Sequence, residues 1–497
     1  MMRRTKIICT LGPSSNTEEV IGRLIDAGVD VVRLNFSHGS HESHRANFAT
    51  VRALAADKER NVAVMMDLQG PKIRTGRLAG GKPVSLKDGA RFVITTQETA
   101  GDAERVSTNY EHLPRDVKPG DRILLADGAL ELRVEEVTKT DAVCRVVHGG
   151  MLGEHKGINL PGVDVSAPAL SEKDLADLEL ALELGADYVA LSFVRKPEDV
   201  MELRQKIADI CGRLNSKDKK SRPEVHPPGI VAKIERPEAL SNFDRILPLT
   251  DAVMVARGDL GIEMDLDDVP QIQKKLVAKC NEYGAPVITA TQMLESMMTS
   301  PRPTRAEVTD VANAIYDGTD AVMLSGETAV GLFPVEALKR MADIAAKADA
   351  ALVANSSFRS VKRREDNSAD IWSGSHADAI GEAVFNMSEA LDISRIVCFT
   401  QSGYTPRAIA RYRPKVPITA ITLSGETLRR SALIWGVETL LSDEIMGIDE
   451  MVQAVNALLL DEKLSEPGET VIIVAGTPLV VGGVTNLLNL HTVGEPT

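Results

Sequence analysis

The sequence predicts an α/β protein: a (β/α)8 TIM barrel with an inserted β-rich lid domain and a C-terminal open-sheet α/β domain. Three observations carry this expectation. Eight apolar, β-branched runs, each followed by a helical stretch, recur between Lys6 and Thr328. A tract from Pro71 to Pro168 breaks that rhythm with short alternating runs and closely spaced turn residues. Beyond a Ser-rich, charged stretch a second strand-helix alternation begins.

The first three strands are read in KIICTLG, VDVVRLNFSHG and VAVMMDLQG, separated by helical stretches. After the tract Pro71–Pro168, SEKDLADLELALELGA reads as a capped helix, with Ser171 as N-cap and Asp174 three positions on. DYVALSFV, GIVAKIE, DAVMVARGDLG, APVITATQM and DAVMLSGET complete the eight. Runs this uniformly apolar suit parallel strands covered on both faces. The expected limits are 1–70 with 169–354 for the barrel, 71–168 for an all-β insertion and 355–497 for the C-terminal domain. Residues 215–228 read as a solvated loop and 355–375 as a linker. In the last domain RIVCFT, PITAIT, GVETLLS and TVIIVAG read as strands of an open sheet.

The chain has 497 residues and 57 Lys and Arg against 71 Asp and Glu, a net charge of −14. That balance argues against nucleic acid or an anionic membrane as the main partner, so any bound anion must be met by local cations. No apolar run approaches a membrane span, and the start holds too short an apolar stretch for a secretion signal, which places the protein in the cytoplasm. The five cysteines are far apart, without a C-x-x-C pair, and read as buried thiols.

Barrels of this kind carry their chemistry at the C-terminal strand ends. Polar residues fall there: Arg33, Asn35, Asp67, Lys233, Glu235, Arg257, Asp259, Thr291 and Ser325. Glu235 and Asp259 suit Mg2+ or Mn2+ with positions left open for substrate oxygens. Lys233 lies two residues before Glu235 and faces the same side of its strand. With Arg33, Lys72 and Arg74 it makes a pocket far more basic than the whole chain, which implies a phosphorylated, acidic substrate. The backbone of ARGDLG, where a strand hands over to a helix or turn, suits an anion. His38, His41 and His44 match no zinc spacing and read as capping or surface residues. TQSGYTPR, opening at Thr400, is read either as a phosphate nest or as a well-capped helix start.

RLNFSHG, KGINLPG, KIERPEA, ARGDLGIE, ATQMLESM, PRPTRAEVTDVANA and MLSGETA, in this order, resemble the pyruvate kinase family. The resemblance implies transfer of the phosphoryl group of phosphoenolpyruvate to ADP, giving ATP and pyruvate in glycolysis. It implies Glu235 and Asp259 as ligands of the divalent metal and Lys233 as the cation beside the phosphoryl group in flight. Arg33 and Arg74 would grip phosphate. The amides of Arg257, Gly258 and Asp259, with Thr291, would hold the substrate carboxylate, and Thr291 and Ser325 are relay members for protonating the enolate. Pro13, Asn35, His38, Arg74, Asp127 and Lys156 match nucleotide contacts. Thr400, Gln401, Ser402, Gly403, Tyr404 and Thr405 match the loop for a phosphorylated effector, a sugar phosphate or AMP. A homotetramer is implied by analogy.

Relatives that need K+ hold it with Asn35, Ser37, Asp67 and the carbonyl of the next residue, Leu68, and carry glutamate where this chain has Lys72. DLQGPKIR therefore resembles the K+-independent branch, the Lys72 ammonium replacing the monovalent charge. Ser43 and Val330 stand where some relatives contact nucleotide through tyrosine and lysine. The alternative function is a metal-dependent aldolase or mutase of phosphoenolpyruvate or pyruvate, which needs no nucleotide lid.

Overall fold

The apolar runs fold as short strands whose alternate residues face a barrel interior and an outer ring of helices. In this computed structural model the described residues are 3–217, 224–354, 376–442, 447–476 and 485–495. Strands β1 (Lys6–Thr10), β2 (Val31–Asn35), β3 (Ala63–Asp67), β4 (Tyr188–Leu191), β5 (Gly229–Ile234), β6 (Ala252–Ala256), β7 (Val287–Ala290) and β8 (Ala321–Leu324) close into one parallel barrel. Ile8, Val31, Met65, Val231, Met254, Ile288 and Met323 fill its interior, while residues of opposite parity such as Ile7, Val32, Val64 and Val253 pack against the helices. Parity then decides the mouth. Arg33, Asp67 and Lys233 continue the inward rows of Val31, Met65 and Val231, so their polar ends converge above the apolar plug.

Helix starts follow their caps. Ser171 and Asp174 form a reciprocal capping box for Glu172–Leu184, and Thr304 and Glu307 do so for Arg305–Tyr316. The polar stretch from residue 215 is not all loop, because the helix Pro197–Lys217 runs into it. Residues 218–223 of that stretch, and the expected linker 355–375, lie outside the described residues.

Between β3 and the helix at Glu172 lie a six-stranded sheet and a two-stranded pair around their own core of Phe92, Ile123, Leu132 and Cys144. This insertion is not purely β: Leu113–Asp116 is a short helix with Pro114 in its first turn. The C-terminal sheet holds β9 (Arg395–Phe399), β10 (Ile418–Thr422), β11 (Val437–Leu441), β12 (Thr470–Ala475) and β13 (Leu487–Thr492), in the order β11-β10-β9-β12-β13. The antiparallel edge strand β13 was not expected. It is half-exposed and carries Asn489 and His491, so it lacks the apolar signature of its neighbours.

This second unit also closes the barrel floor. Ala432 and Leu433 join the interior core, Tyr188 donates to the Arg430 carbonyl at 2.8 Å, and Arg429 pairs with Asp187 at 2.8 Å. All five cysteines are free and buried. Among the described residues no helix is long and apolar enough to cross a membrane.

Candidate active site at the mouth of the barrel

The tips of β2, β3, β4 and β5 bring one buried ionic cluster together. Arg33 Nε donates to Asp67 Oδ2 at 2.7 Å, and its Nη1 donates to Thr10 Oγ1 at 3.0 Å. Lys233 Nζ donates to Ser192 Oγ at 2.8 Å, and lies 2.8 Å from Glu235 Oε1 and 3.5 Å from Asp67 Oδ1. Burial opposes the Lys233 charge, but Asp67 and Glu235 outweigh it and its pKa is pushed up to about 12. Burial alone would raise the Asp67 carboxyl; Lys233, Arg33 and Lys72 together hold it below its ordinary value. Removing Asp67 would strand buried cations, at a cost of about 3–5 kcal/mol.

Glu235 is 1% exposed and accepts the Phe193 amide at 2.7 Å through Oε2. Its Oε1, though close to Lys233, is not aligned for a hydrogen bond. Burial raises this carboxyl, and the charge of Asp259 raises it further. Asp259 is half-buried and accepts no hydrogen bond from the described residues. It does not sit at the tip of β6 but in the first turn of the helix Arg257–Glu263. Glu235 and Asp259, whose charges act on one another, offer carboxylate oxygens of the kind that suit a hard dication with open positions for substrate and water.

The first turn of that helix presents the amides of Arg257, Gly258 and Asp259. The Gly258 amide is engaged, donating to Thr291 Oγ1 at 2.7 Å. Thr291 holds φ at 71°, a left-handed value unusual for a β-branched residue, and Gln292 follows at 53°. The Arg257 guanidinium is turned away from the amides, toward Asp310 at 2.8 Å and the Thr291 carbonyl at 2.9 Å. Ser325 Oγ is buried without a partner, and its amide donates to Glu327 at 2.8 Å.

Lys72, Arg74, Asp127, Lys156 and Asp259 line a cavity of about 280 Å³ between the inserted sheet and the barrel. Lys72 donates to Ser37 Oγ at 3.0 Å, and Arg74 donates to the His155 carbonyl at 3.0 Å. Burial, and then Lys233 and Arg74, lower the Lys72 pKa. Asn159 ties the insertion to the barrel, donating to the buried Glu263 at 2.9 Å. Asn35 ends β2, Pro13 and His38 lie beyond the tips of β1 and β2, and all three are outside that lining. The histidines part company: His41 meets Asp177 at 2.7 Å, while His44 Nε2 meets the His38 carbonyl at 2.9 Å. Ser43 is used in the capping box of the helix His41–Asp57, and Val330 is exposed. In the C-terminal sheet Gly403 takes a φ of 79° between β9 and the helix Tyr404–Ala410, its amide donating to Thr400 Oγ1 at 2.9 Å.

Thr10 and Ser192 were missed in the sequence. Both continue inward strand rows, of Ile8 and Ala190, so parity alone could have found them. Nothing local marks Asn159 and Glu263, which meet only across two units of the fold.

The fold and this mouth define a barrel phosphotransferase that handles acidic, phosphorylated substrates beneath an inserted unit. Residues 2–338 match the family described as pyruvate kinase, barrel domain, and residues 378–491 match pyruvate kinase, alpha/beta domain. The chain belongs to the pyruvate kinase family. It is 44% identical to the pyruvate kinase of Geobacillus stearothermophilus over 497 residues, which is 100% of this chain and 81% of that one. The pyruvate kinase of Staphylococcus aureus strain MRSA252 is 42% identical over 496 residues, 99% of this chain and 81% of the relative. A solved pyruvate kinase from Cryptosporidium parvum superposes with a TM-score of 0.88 at 38% identity, covering 99% of this chain and 96% of that one. These similarities disfavour the aldolase or mutase reading.

Proposed function

We propose that this chain transfers the phosphoryl group of phosphoenolpyruvate to ADP, giving ATP and pyruvate in glycolysis, at the cluster of Lys233, Glu235, Asp67 and Arg33. The observation that carries the assignment of residues is Lys233: a buried ammonium held by carboxylates at the tips of β3 and β5, within the field of a third, Asp259, that is free to bind a cation.

Glu235 and Asp259 would hold Mg2+ or Mn2+. The bound dication supplies positive charge to substrate and phosphoryl oxygens. Lys233, fixed by Ser192 and Glu235, meets negative charge on the phosphoryl group without having to reorganise. Arg33, aligned by Asp67, and Arg74, in the wall of the cavity beneath the inserted sheet, orient phosphate oxygens. The first-turn amides receive the substrate carboxylate, which displaces the Thr291 hydroxyl from Gly258. That hydroxyl and the unpartnered Ser325 Oγ then hold the water that protonates the enolate carbon. ADP lies under Asp127 and Lys156, with Pro13, Asn35 and His38 at its outer end.

K+ is not required in this reading, since Lys72 supplies the monovalent charge. The chain acts in the cytoplasm as a homotetramer, and the turn Thr400–Thr405 takes a phosphorylated effector, a sugar phosphate or AMP. A coupled pyruvate assay with ADP, phosphoenolpyruvate and Mg2+, with and without K+ and with a panel of those effectors, tests the reading. Absence of pyruvate formation under all conditions would overturn it.

A further inference from the structure

A second cavity, of about 150 Å³, lies between the floor of the barrel and the C-terminal sheet, away from the reacting groups. One wall is built from the chain just before β6 and β7, including Thr250, Asp251 and Tyr283; the other is the helix Tyr404–Ala410. Strands enter the barrel at this end, so the cavity sits on the face opposite the active site.

The charges around it are unevenly satisfied. Arg411 is the best satisfied, its Nη1 donating to the Glu282 carbonyl at 3.1 Å and its Nη2 to Asp378 at 2.5 Å and Tyr412 Oη at 2.7 Å. Asp251 accepts the Ile230 amide at 2.8 Å and lies 3.5 Å from Arg204. Arg204 also donates to the Leu249 carbonyl at 2.7 Å, through the same Nη2, which leaves Nε and Nη1 without an acceptor among the described residues. Arg407 is half-buried in the other wall and has neither a hydrogen bond nor an ion pair to any described residue. A half-buried guanidinium with no acceptor, as at Arg407, is costly, and an anion placed between it and the exposed, only partly engaged Arg204 recovers that cost through charge-assisted hydrogen bonds.

We propose that this cavity binds a small phosphate-bearing anion, gripped by Arg407 from the C-terminal unit and by Arg204 from the barrel. Two guanidinium forks on facing walls match a tetrahedral dianion better than a planar carboxylate. The volume is ample for inorganic phosphate or a short phosphomonoester with several waters. Of the turn Thr400–Thr405, only Tyr404 borders the cavity, so this site is separate from the one proposed there for an effector. The anion joins the two units, so its binding stabilises their docked arrangement by mass action.

Equilibrium dialysis of the full-length protein against radiolabelled inorganic phosphate tests the site. We expect Arg407→Gln and Arg204→Gln each to abolish one class of phosphate site, or to weaken it at least about tenfold. Arg407→Lys should restore part of the binding, because charge returns without the fork. Thr405→Ala, in the neighbouring turn, should leave this class intact. The exposed position of Arg204 makes its variant safe for folding, so the two walls are tested independently. Crystals soaked in phosphate should show the anion between the two guanidiniums. Unchanged stoichiometry and affinity in both glutamine variants would overturn the site. So would loss of the same phosphate class in Thr405→Ala, which would assign the anion to the turn, and so would density for an adventitious ion only, away from both arginines.

Discussion

The Lys72 ammonium donates to the Ser37 hydroxyl at 3.0 Å. Ser37 is one of four oxygen donors at which K+-dependent relatives would hold their monovalent cation, and each of the four already faces a protein donor. Asn35 Oδ1 accepts the Ser37 amide at 3.0 Å, Asp67 is held by Arg33 and Lys233, and the Leu68 carbonyl accepts Ser192 at 2.8 Å. A further cation there would meet the repulsion of Lys72 and compete with these donors. Turnover in K+-free buffer should therefore match that in KCl. Lys72→Glu should fall at least about tenfold without K+ and recover with it, but not with tetramethylammonium. Strong K+ stimulation of the unmodified enzyme would refute this account.

Lys233 is the cation that bridges the carboxylates at the tips of β3 and β5, 3.5 Å from Asp67 and 2.8 Å from Glu235. Lys233→Met should lower kcat about 10²–10³-fold, the loss typical of one preorganised group at developing charge. Mn2+ binding read by electron paramagnetic resonance should persist, because Glu235 and Asp259 remain. Retention of full kcat would remove Lys233 from the reaction.

Thr291 combines a strained backbone with a hydroxyl on the Gly258 amide. Glycine tolerates its φ, relieving about 1–2 kcal/mol of strain against about 0.5–1 kcal/mol of added chain entropy. With the lost Oγ1 bond to the Gly258 amide costing about 0.5–1.5 kcal/mol more, Thr291→Gly should leave Tm little changed while lowering kcat/KM for phosphoenolpyruvate. A variant with lower Tm and intact kinetics would show that the strain has no part in the chemistry.

His44 is buried, its Nε2 donates to the His38 carbonyl and its Nδ1 has no partner. Burial lowers its pKa below 6.5. The unfolded chain then takes up a proton near 6.5 that the folded chain refuses until a lower pH. Its contribution is fully present above 6.5 and lost as pH falls through the folded value. Denaturant titrations from about pH 7.5 to 5 should show a shallower acid decline for His44→Gln than for the unmodified chain. Parallel curves would exclude His44 as a source.

Asn159 and Glu263 link the inserted unit to the helix Arg257–Glu263, whose first-turn amides are proposed for the substrate carboxylate. Asn159→Ala leaves a buried, already burial-raised carboxyl unsatisfied, at a cost of about 1–3 kcal/mol. The pair Asn159→Ala with Glu263→Leu should cost less than the sum of the single changes, read by chemical denaturation. Strict additivity would show that the two do not interact.

The barrel was legible because strand period, parity and capping are local: Val31 to Arg33, Met65 to Asp67 and Val231 to Lys233 lie on one side of their strands whatever surrounds them. Those same rules put the polar tips at the mouth and make Lys233, Glu235 and Arg33 neighbours by sequence alone. They could not say which atom each tip touches. Gly258 and Thr291 are both at strand ends by sequence, yet only the register of β6 with β7 brings amide and hydroxyl to 2.7 Å. Leu433 under the barrel, Lys72 on Ser37 and Arg407 without an acceptor are likewise decided by chain segments far apart in sequence. Hydrophobic patterning fixes which face of an element is buried; partners across elements depend on how closure and docking bring those faces together, which no single stretch encodes.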